Sequence, residues 1–392
     1  MSDLKEYLIM LPGPTNVPAR VSRAMCRPLV SHRGEEFREL MERITENAKE
    51  VFMTKSDIYV LTASGTGGVE AAVSNLFWKG DKVLVPILGV FSERLAETVE
   101  RRGAEVIRVN VEWGDAVSAE KVKEVMDGVR DLTAIALTYN DTSTGVTVRE
   151  LREIGKLSRD RGTLLMVDAI SILGGDELPV DEWNVDVCVT GSQKCLACPP
   201  GLSLISVSEN AWEKISSMKN RPFYFDLISY KEFYEKKRET PYTPAIPLFY
   251  ALDEALRIIL EEGIWNRIRR HRTCAKAFYR AIEALNLRPF SREEVRSNTV
   301  IAVKNPEGIS DSDIRRLMRE RFRILIAGGM GRLSGTMFRI GNMGIVSGRE
   351  VLYTISALED VLSMLGFDFD RGSGVSAVME TMDEEGGCPL PP

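Results

Sequence analysis

Histidine is nearly absent: His32 and His271 are the only two in 392 residues. A metal centre built on several imidazoles is excluded, and a Ser-His-Asp or Cys-His enzyme would have to use one of these two. Cysteine is sparse as well. Six residues, Cys26, Cys188, Cys195, Cys198, Cys274 and Cys388, are too few for a secreted disulfide framework. They read as reduced thiols, and the expected location is cytoplasmic. No run approaches about 18 uncharged apolar residues, so no membrane-spanning helix is expected. The first ten residues carry Asp3, Lys5 and Glu6 without an apolar core, unlike a signal peptide. A basic surplus is missing too: 51 Lys+Arg face 57 Asp+Glu, a net charge of −6. That argues against nucleic acid and against an anionic membrane surface as partners. What remains is an ordinary globular composition, long enough for roughly two or three domains and a core that needs no disulfide or metal staple.

From about Asp57 to Ser208, short apolar runs alternate with amphipathic segments. Strands are expected over 58–63, 82–88, 105–111, 134–138, 163–167, 185–190 and 202–207. Helices are expected over 69–77, 92–102, 118–129 and 148–160. Unbroken apolar strands separated by helices imply a mostly parallel α/β sheet covered on both faces. Long helices follow over 246–263 and 265–285, and a strand–helix repeat over 299–365 reads as a second, smaller α+β unit. Residues 371–392, Gly/Ser-rich, then acidic, then Pro-rich, read as a disordered tail.

Parallel sheets bind ligands beyond the carboxyl ends of their strands, so the turns after strands carry the chemistry. Lys194 stands just past the apolar run ending at Thr190, where desolvation can turn a lysine into a nucleophilic amine; a solvated lysine is the alternative. Asp168 closes the buried run 164–167. Such a carboxylate needs a cation or hydrogen bonds, and a protonated pyridine nitrogen would serve; a helix or turn cap is the alternative. Ser64-Gly65-Thr66-Gly67-Gly68 joins a strand to a helix, a setting that favours a phosphate, although it matches neither the Walker nor the dinucleotide pattern. The polar turn 140–145 offers hydroxyls near the same edge, and Phe91 is either a stacking ring or core.

These pieces, in this order, resemble the class V aminotransferases of the pyridoxal-phosphate fold type I superfamily. The nearest resemblance is to serine–pyruvate and alanine–glyoxylate aminotransferases, including archaeal members described as aspartate aminotransferases. The stretches that carry it are 11–15 (LPGPT), 64–67 (SGTG), 142–145 (TSTG), 167–171 (VDAIS), 191–194 (GSQK) and 338–341 (FRIG). The resemblance implies a large domain, residues 21–265, with a mostly parallel seven-stranded sheet. An N-terminal arm over 1–20 and a small C-terminal domain over 266–370 would complete the fold. It implies pyridoxal 5'-phosphate as cofactor and Lys194 as the Schiff-base lysine and proton shuttle. Asp168 would face the ring nitrogen. Ser64, Gly65, Thr66 and Gln193 would hold the phosphate, and Ser143 would sit near the ring oxygen. Phe91 would stand where relatives often stack a tryptophan, with Ile170 on the other face of the ring. Arg339 would clamp the substrate carboxylate; a strand arginine in a surface ion pair is the alternative. Tyr242 and Thr243 would reach the phosphate of a neighbouring subunit, which implies a homodimer with shared sites.

The implied reaction is a ping-pong aldimine transamination. It would run between alanine, serine or aspartate and pyruvate, glyoxylate, oxaloacetate or 2-oxoglutarate. Arg33 is a candidate second anion contact for dicarboxylates. A cysteine desulfurase or lyase fits less well, because Gln193 replaces the usual histidine and no cysteine lies between Cys274 and Cys388. A non-catalytic relative would have lost Lys194 or Asp168. Cys195 and Cys198 form a CxxC that reads as buried small residues rather than a metal or redox site. The basic run 267–272 reads as a solvated helix face.

Overall fold

The computed structural model describes residues 6–388 and 391. Its central sheet has seven strands, in the order Ile58–Leu61, Ser203–Val207, Val187–Gly191, Leu164–Asp168, Ala134–Thr138, Lys82–Ile87, Glu105–Asn110. Every pairing is parallel except those of Ser203–Val207, which runs antiparallel to both neighbours. The strands Ile58–Leu61, Ala134–Thr138, Val187–Gly191 and Ser203–Val207 are buried along their whole length. Val- and Ile-rich segments can be so buried because helices cover both faces. The carboxyl ends of the parallel strands share one edge, and the turns at 62–65, 88–90, 139–145, 168–171 and 191–195 lie along it.

Hydrophobic burial is concentrated in two large clusters, with a small third of Cys195, Val300 and Met343. One runs from Val21 to Ile259 around the seven-stranded sheet. The other joins Met10 to residues 274–382. This second cluster surrounds an antiparallel sheet of Val300–Lys304, Met337–Gly341 and Ala327–Gly328. The N-terminal segment belongs to it, since Leu8–Ile9 pairs in parallel with Ile324–Leu325. Among the described residues no helix is long and apolar enough to cross a membrane.

Two expectations from the sequence are corrected. The tail is not disordered over its first half: Ser373–Glu384 is a helix with Gly374, Val378, Thr381 and Met382 buried. The spacing of Val375, Val378 and Met382 makes one apolar stripe, which packs into the second cluster. The Glu359 carboxylate accepts the N–H groups of Gly372 at 2.8 Å and Val375 at 3.0 Å, capping the helix start. The Gly/Ser and acidic bias of the segment hid that stripe. Of the expected tail, residues 389, 390 and 392 lie outside the described residues.

The basic run is the second correction. Arg267, Arg270 and His271 are at most 1% exposed, because Glu262, one to two turns earlier, is buried with them. It bonds Arg267 at 2.8 Å and Arg270 at 2.7 Å. Arg267 also donates to the Cys195 carbonyl at 2.6 Å, and Arg270 to the Gly344 carbonyl at 3.0 Å. Burial pulls the Arg267 guanidinium down to about 10 and holds His271 neutral, well below its ordinary range. Arg267→Met would leave the buried Cys195 carbonyl without its donor. The expected loss is about 1–3 kcal/mol of stability, read as a lower denaturant midpoint.

Candidate active site

A cleft opens at the carboxyl edge of the large sheet and brings Gly65, Thr66, Phe91, Asp168, Ile170, Gln193 and Lys194 together. Its floor is the start of the helix Gly65–Leu76. Ser64 caps that helix, its hydroxyl accepting the Gly67 N–H at 3.4 Å. The N–H groups of Gly65 and Thr66 have no carbonyl one turn back and can hold an anion. Glycine is required at Gly65: a Cβ there would stand 2.8 Å from the Ile170 side chain. Ser64 therefore acts on the helix, while Gly65 and Thr66 line the cleft.

Asp168 ends its strand inside the cleft, 9% exposed. One oxygen accepts the Ile170 N–H at 3.0 Å. Among the described residues no cation forms an ion pair with it, and burial pushes its carboxyl up to about 6. Two further polar atoms, Thr138 Oγ1 and Gln193 Oε1, are buried here without a hydrogen-bond partner among the described residues. An unpaired buried carboxylate, two orphaned polar atoms and an anion-ready helix start fit a ligand with a cationic ring nitrogen at one end and a phosphate at the other.

Lys194 follows the strand Val187–Gly191, and its Nζ donates to the Pro12 carbonyl. The N-terminal segment touches it so closely that any Cβ at Gly13 (φ +101°) would overlap the lysine side chain. Burial brings the ammonium down to about 8; nearby Arg339 pushes the same way and Asp168 opposes. Below that pH the amine is mostly protonated and not nucleophilic; above it the amine is free. Uptake of pyridoxal phosphate by the apoprotein, followed as visible absorbance, is therefore expected to accelerate roughly tenfold per pH unit up to about 8 and then level. A rate independent of pH from 6 to 8 would contradict this assignment.

Arg339 is 5% exposed in the strand Met337–Gly341. Its Nε donates to the Gly328 carbonyl and Nη1 to the Thr142 carbonyl, both at 2.8 Å. Among the described residues no carboxylate pairs with it, so the surface ion-pair alternative fails. Burial lowers its guanidinium to about 10, opposed by Asp141. Two of its five donors are used on carbonyls, which leaves a fork for a carboxylate.

Not every expected residue reaches the cleft. The Ser143 hydroxyl donates to Asp141 Oδ1 at 2.6 Å and accepts the Val90 N–H at 2.9 Å; Asn140 and Thr142 line the cleft instead. The reason is Asp141. Its Oδ2 accepts the N–H groups of Phe91 at 3.1 Å and Ser92 at 3.0 Å, an anion at the start of the helix Val90–Arg101. Ser143 completes that cap. Arg33 is also elsewhere. It donates to Glu239 at 2.8 Å and to the carbonyls of Thr240 at 2.6 Å and Pro241 at 3.0 Å, so it shapes the segment carrying Tyr242 and Thr243. Tyr242 stacks on Tyr224 at 5.2 Å and Thr243 is exposed; neither lines the cleft.

Arg94 was not anticipated. It lines the mouth of the cleft, its guanidinium 5.0 Å from the Phe91 ring centre. Its one signal in the sequence is its place one turn after Phe91. Cys188, Cys195 and Cys198 are all fully buried, with thiols pushed up by burial, Cys195 to about 12. Among the described residues no group of three or more His, Cys, Asp or Glu side chains is placed to hold a metal.

Comparison with known proteins agrees with this geometry. The family model described as "Aminotransferase class-V" matches residues 13–360, most of the chain. The chain belongs to the class V aminotransferases. It is a transaminase, and its cofactor is pyridoxal 5'-phosphate. Among relatives of this class V aminotransferase, an uncharacterized aminotransferase of Methanocaldococcus jannaschii is 45% identical, over 98% of this chain and 99% of that protein. A chain of Synechococcus named as the small subunit of a soluble hydrogenase is 38% identical, over 96% and 98%. The crystal structure of ureidoglycine–glyoxylate aminotransferase from Bacillus subtilis superposes with a TM-score of 0.93 at 33% identity, covering 97% of this chain and 98% of that one. Further relatives, 33–36% identical, are named transaminases of glyoxylate with ureidoglycine, aspartate, serine or alanine.

Proposed function

We propose that this aminotransferase moves the amino group of a small monocarboxylic L-amino acid, alanine or serine, to glyoxylate, in two half-reactions that share one site. The observation that carries the reading is Arg339, a buried guanidinium near Lys194 with no carboxylate partner among the described residues, while Arg33 is already committed to Glu239 and two carbonyls. One α-carboxylate is served; among the described residues the other guanidinium lining the cleft, Arg94, is exposed. The glyoxylate named in the relatives points the same way.

In this reading Arg339 grips the substrate carboxylate bidentately and so fixes the Cα–H bond relative to the ring. The free amine of Lys194 is placed to take the proton from Cα and would return it across the substrate nitrogen to the cofactor carbon bonded to it. Asp168, ionised, keeps the proton on the ring nitrogen. Gly65, Thr66 and Gln193 hold the phosphate, while Phe91 and Ile170 flank the ring. Pyridoxal phosphate, when bound, supplies the electron sink that makes the Cα proton removable. The exposed segment with Tyr242 and Thr243 would complete the site of a second copy, so the working form is a homodimer.

The test is a matrix of donors and acceptors. Glyoxylate should exceed 2-oxoglutarate as acceptor by at least about tenfold in kcat/KM, with alanine or serine exceeding aspartate as donor. The reverse order would overturn the proposal and point to Arg94 at the mouth as the second cation.

A further inference from the structure

The chain returns to the second hydrophobic cluster at Cys388, four residues past the helix Ser373–Glu384. There its sulfur lies 3.3 Å from that of Cys274, a residue 114 positions earlier. The two thiols differ in access. Cys274 is fully buried on the helix Ile264–Ala284, whereas Cys388 is half-buried. Cys388 also sits at the start of the helix Gly348–Met364, its Cβ 3.3 Å from the position a Cβ on Gly348 would take. Helix starts favour thiolates. The hydrogen bond with Cys274 lowers the Cys388 thiol most and burial opposes it; the Gly348 N–H and Arg270 add to the lowering, while the first-turn Glu350 opposes. The approach to Cys388 runs through Gly386 and Gly387, both at positive φ, so the segment bends without side-chain cost. An accessible, activated thiol beside a buried second thiol is the arrangement of an attacking and a resolving cysteine.

We propose that Cys274 and Cys388 are a dithiol–disulfide pair, oxidised by a low-molecular-weight disulfide, that ties the C-terminal segment to the helix Ile264–Ala284. The Cys388 thiolate attacks one sulfur of the small disulfide; a mixed disulfide forms and one small thiol leaves. The Cys274 thiolate then attacks the Cys388 sulfur, forming the protein disulfide and releasing the second small thiol. Two protein thiols lose two electrons, the small disulfide gains them, and the two thiol protons leave with the released thiols. Closing a loop of more than 100 residues restricts the unfolded chain.

The experiment incubates the folded full-length holoenzyme with oxidised glutathione, alkylates remaining thiols, and maps peptides without reduction. A peptide joining Cys274 to Cys388, 2 Da lighter than its two reduced parts, is expected. The thermal midpoint should rise by roughly 5 °C or more over the dithiothreitol-treated enzyme. Cys388→Ser should lose both effects. The exposed Cys26 reports that the oxidant has reacted. Alkylatable Cys274 and Cys388 after Cys26 is modified, or a glutathione adduct on Cys388 as the end product, would overturn the proposal. The peptide map of the unaltered protein decides even if the variant misfolds.

Discussion

Replacing Lys194 by alanine is expected to lower kcat/KM for transamination by about 10⁴-fold or more, with the fold intact. The amine lies in the cleft with Asp168 and is held by the Pro12 carbonyl. Among the described residues no other amine lines that cleft, so none of them can take over the Cα proton. Lys194→Arg keeps the charge but not a titratable amine, and should be equally inactive. The measurement is oxo acid released from L-alanine in the first turnover, alongside circular dichroism for the fold. Activity in either variant within tenfold of the parent would remove Lys194 from the chemistry.

Arg339→Ala is expected to cost about 2–5 kcal/mol of transition-state binding, a fall of roughly 30- to 5,000-fold in kcat/KM for every α-amino acid and α-oxo acid. The loss has two parts. The bidentate grip on the carboxylate goes, and the carbonyls of Gly328 and Thr142 lose their donor. An amine substrate without a carboxylate separates them: its slow turnover depends on Lys194 and not on the grip, so it should change by less than about tenfold. Arg339→Lys should recover only part, because a single ammonium cannot reproduce the fork. Equal losses for amines and amino acids would mean that Arg339 only supports the fold.

The strands were legible because buried parallel strands are unbroken apolar runs, and 134–138 has the same bounds in sequence and structure. Helix starts were less so. Apolar periodicity begins at Val69, but the helix begins at Gly65, where the Ser64 cap sets the start. Glycine has low helix propensity and no side chain to show the period, yet Gly68 is needed there because a Cβ would meet Ser203 at 2.8 Å. Much of the site was legible for a topological reason: strand ends of a parallel sheet share one edge, so Gly65, Asp168, Gln193 and Lys194 had to converge. The side chains that the structure turns elsewhere are those whose placement depends on tertiary neighbours. Ser143 turned to Asp141, Arg33 to Glu239, and Arg267 and Arg270 to Glu262. A charge in sequence carries no mark of burial; only its partner does.

The most direct test withholds the acceptor. Purified holoenzyme is given L-alanine alone, and its visible absorbance and the pyruvate formed are followed together. The account predicts loss of the visible band with about one pyruvate per active site and then a halt. Glyoxylate added afterwards should restore the band and yield the matching glycine. Continued product formation without an acceptor, or a band indifferent to every amino acid, would contradict it.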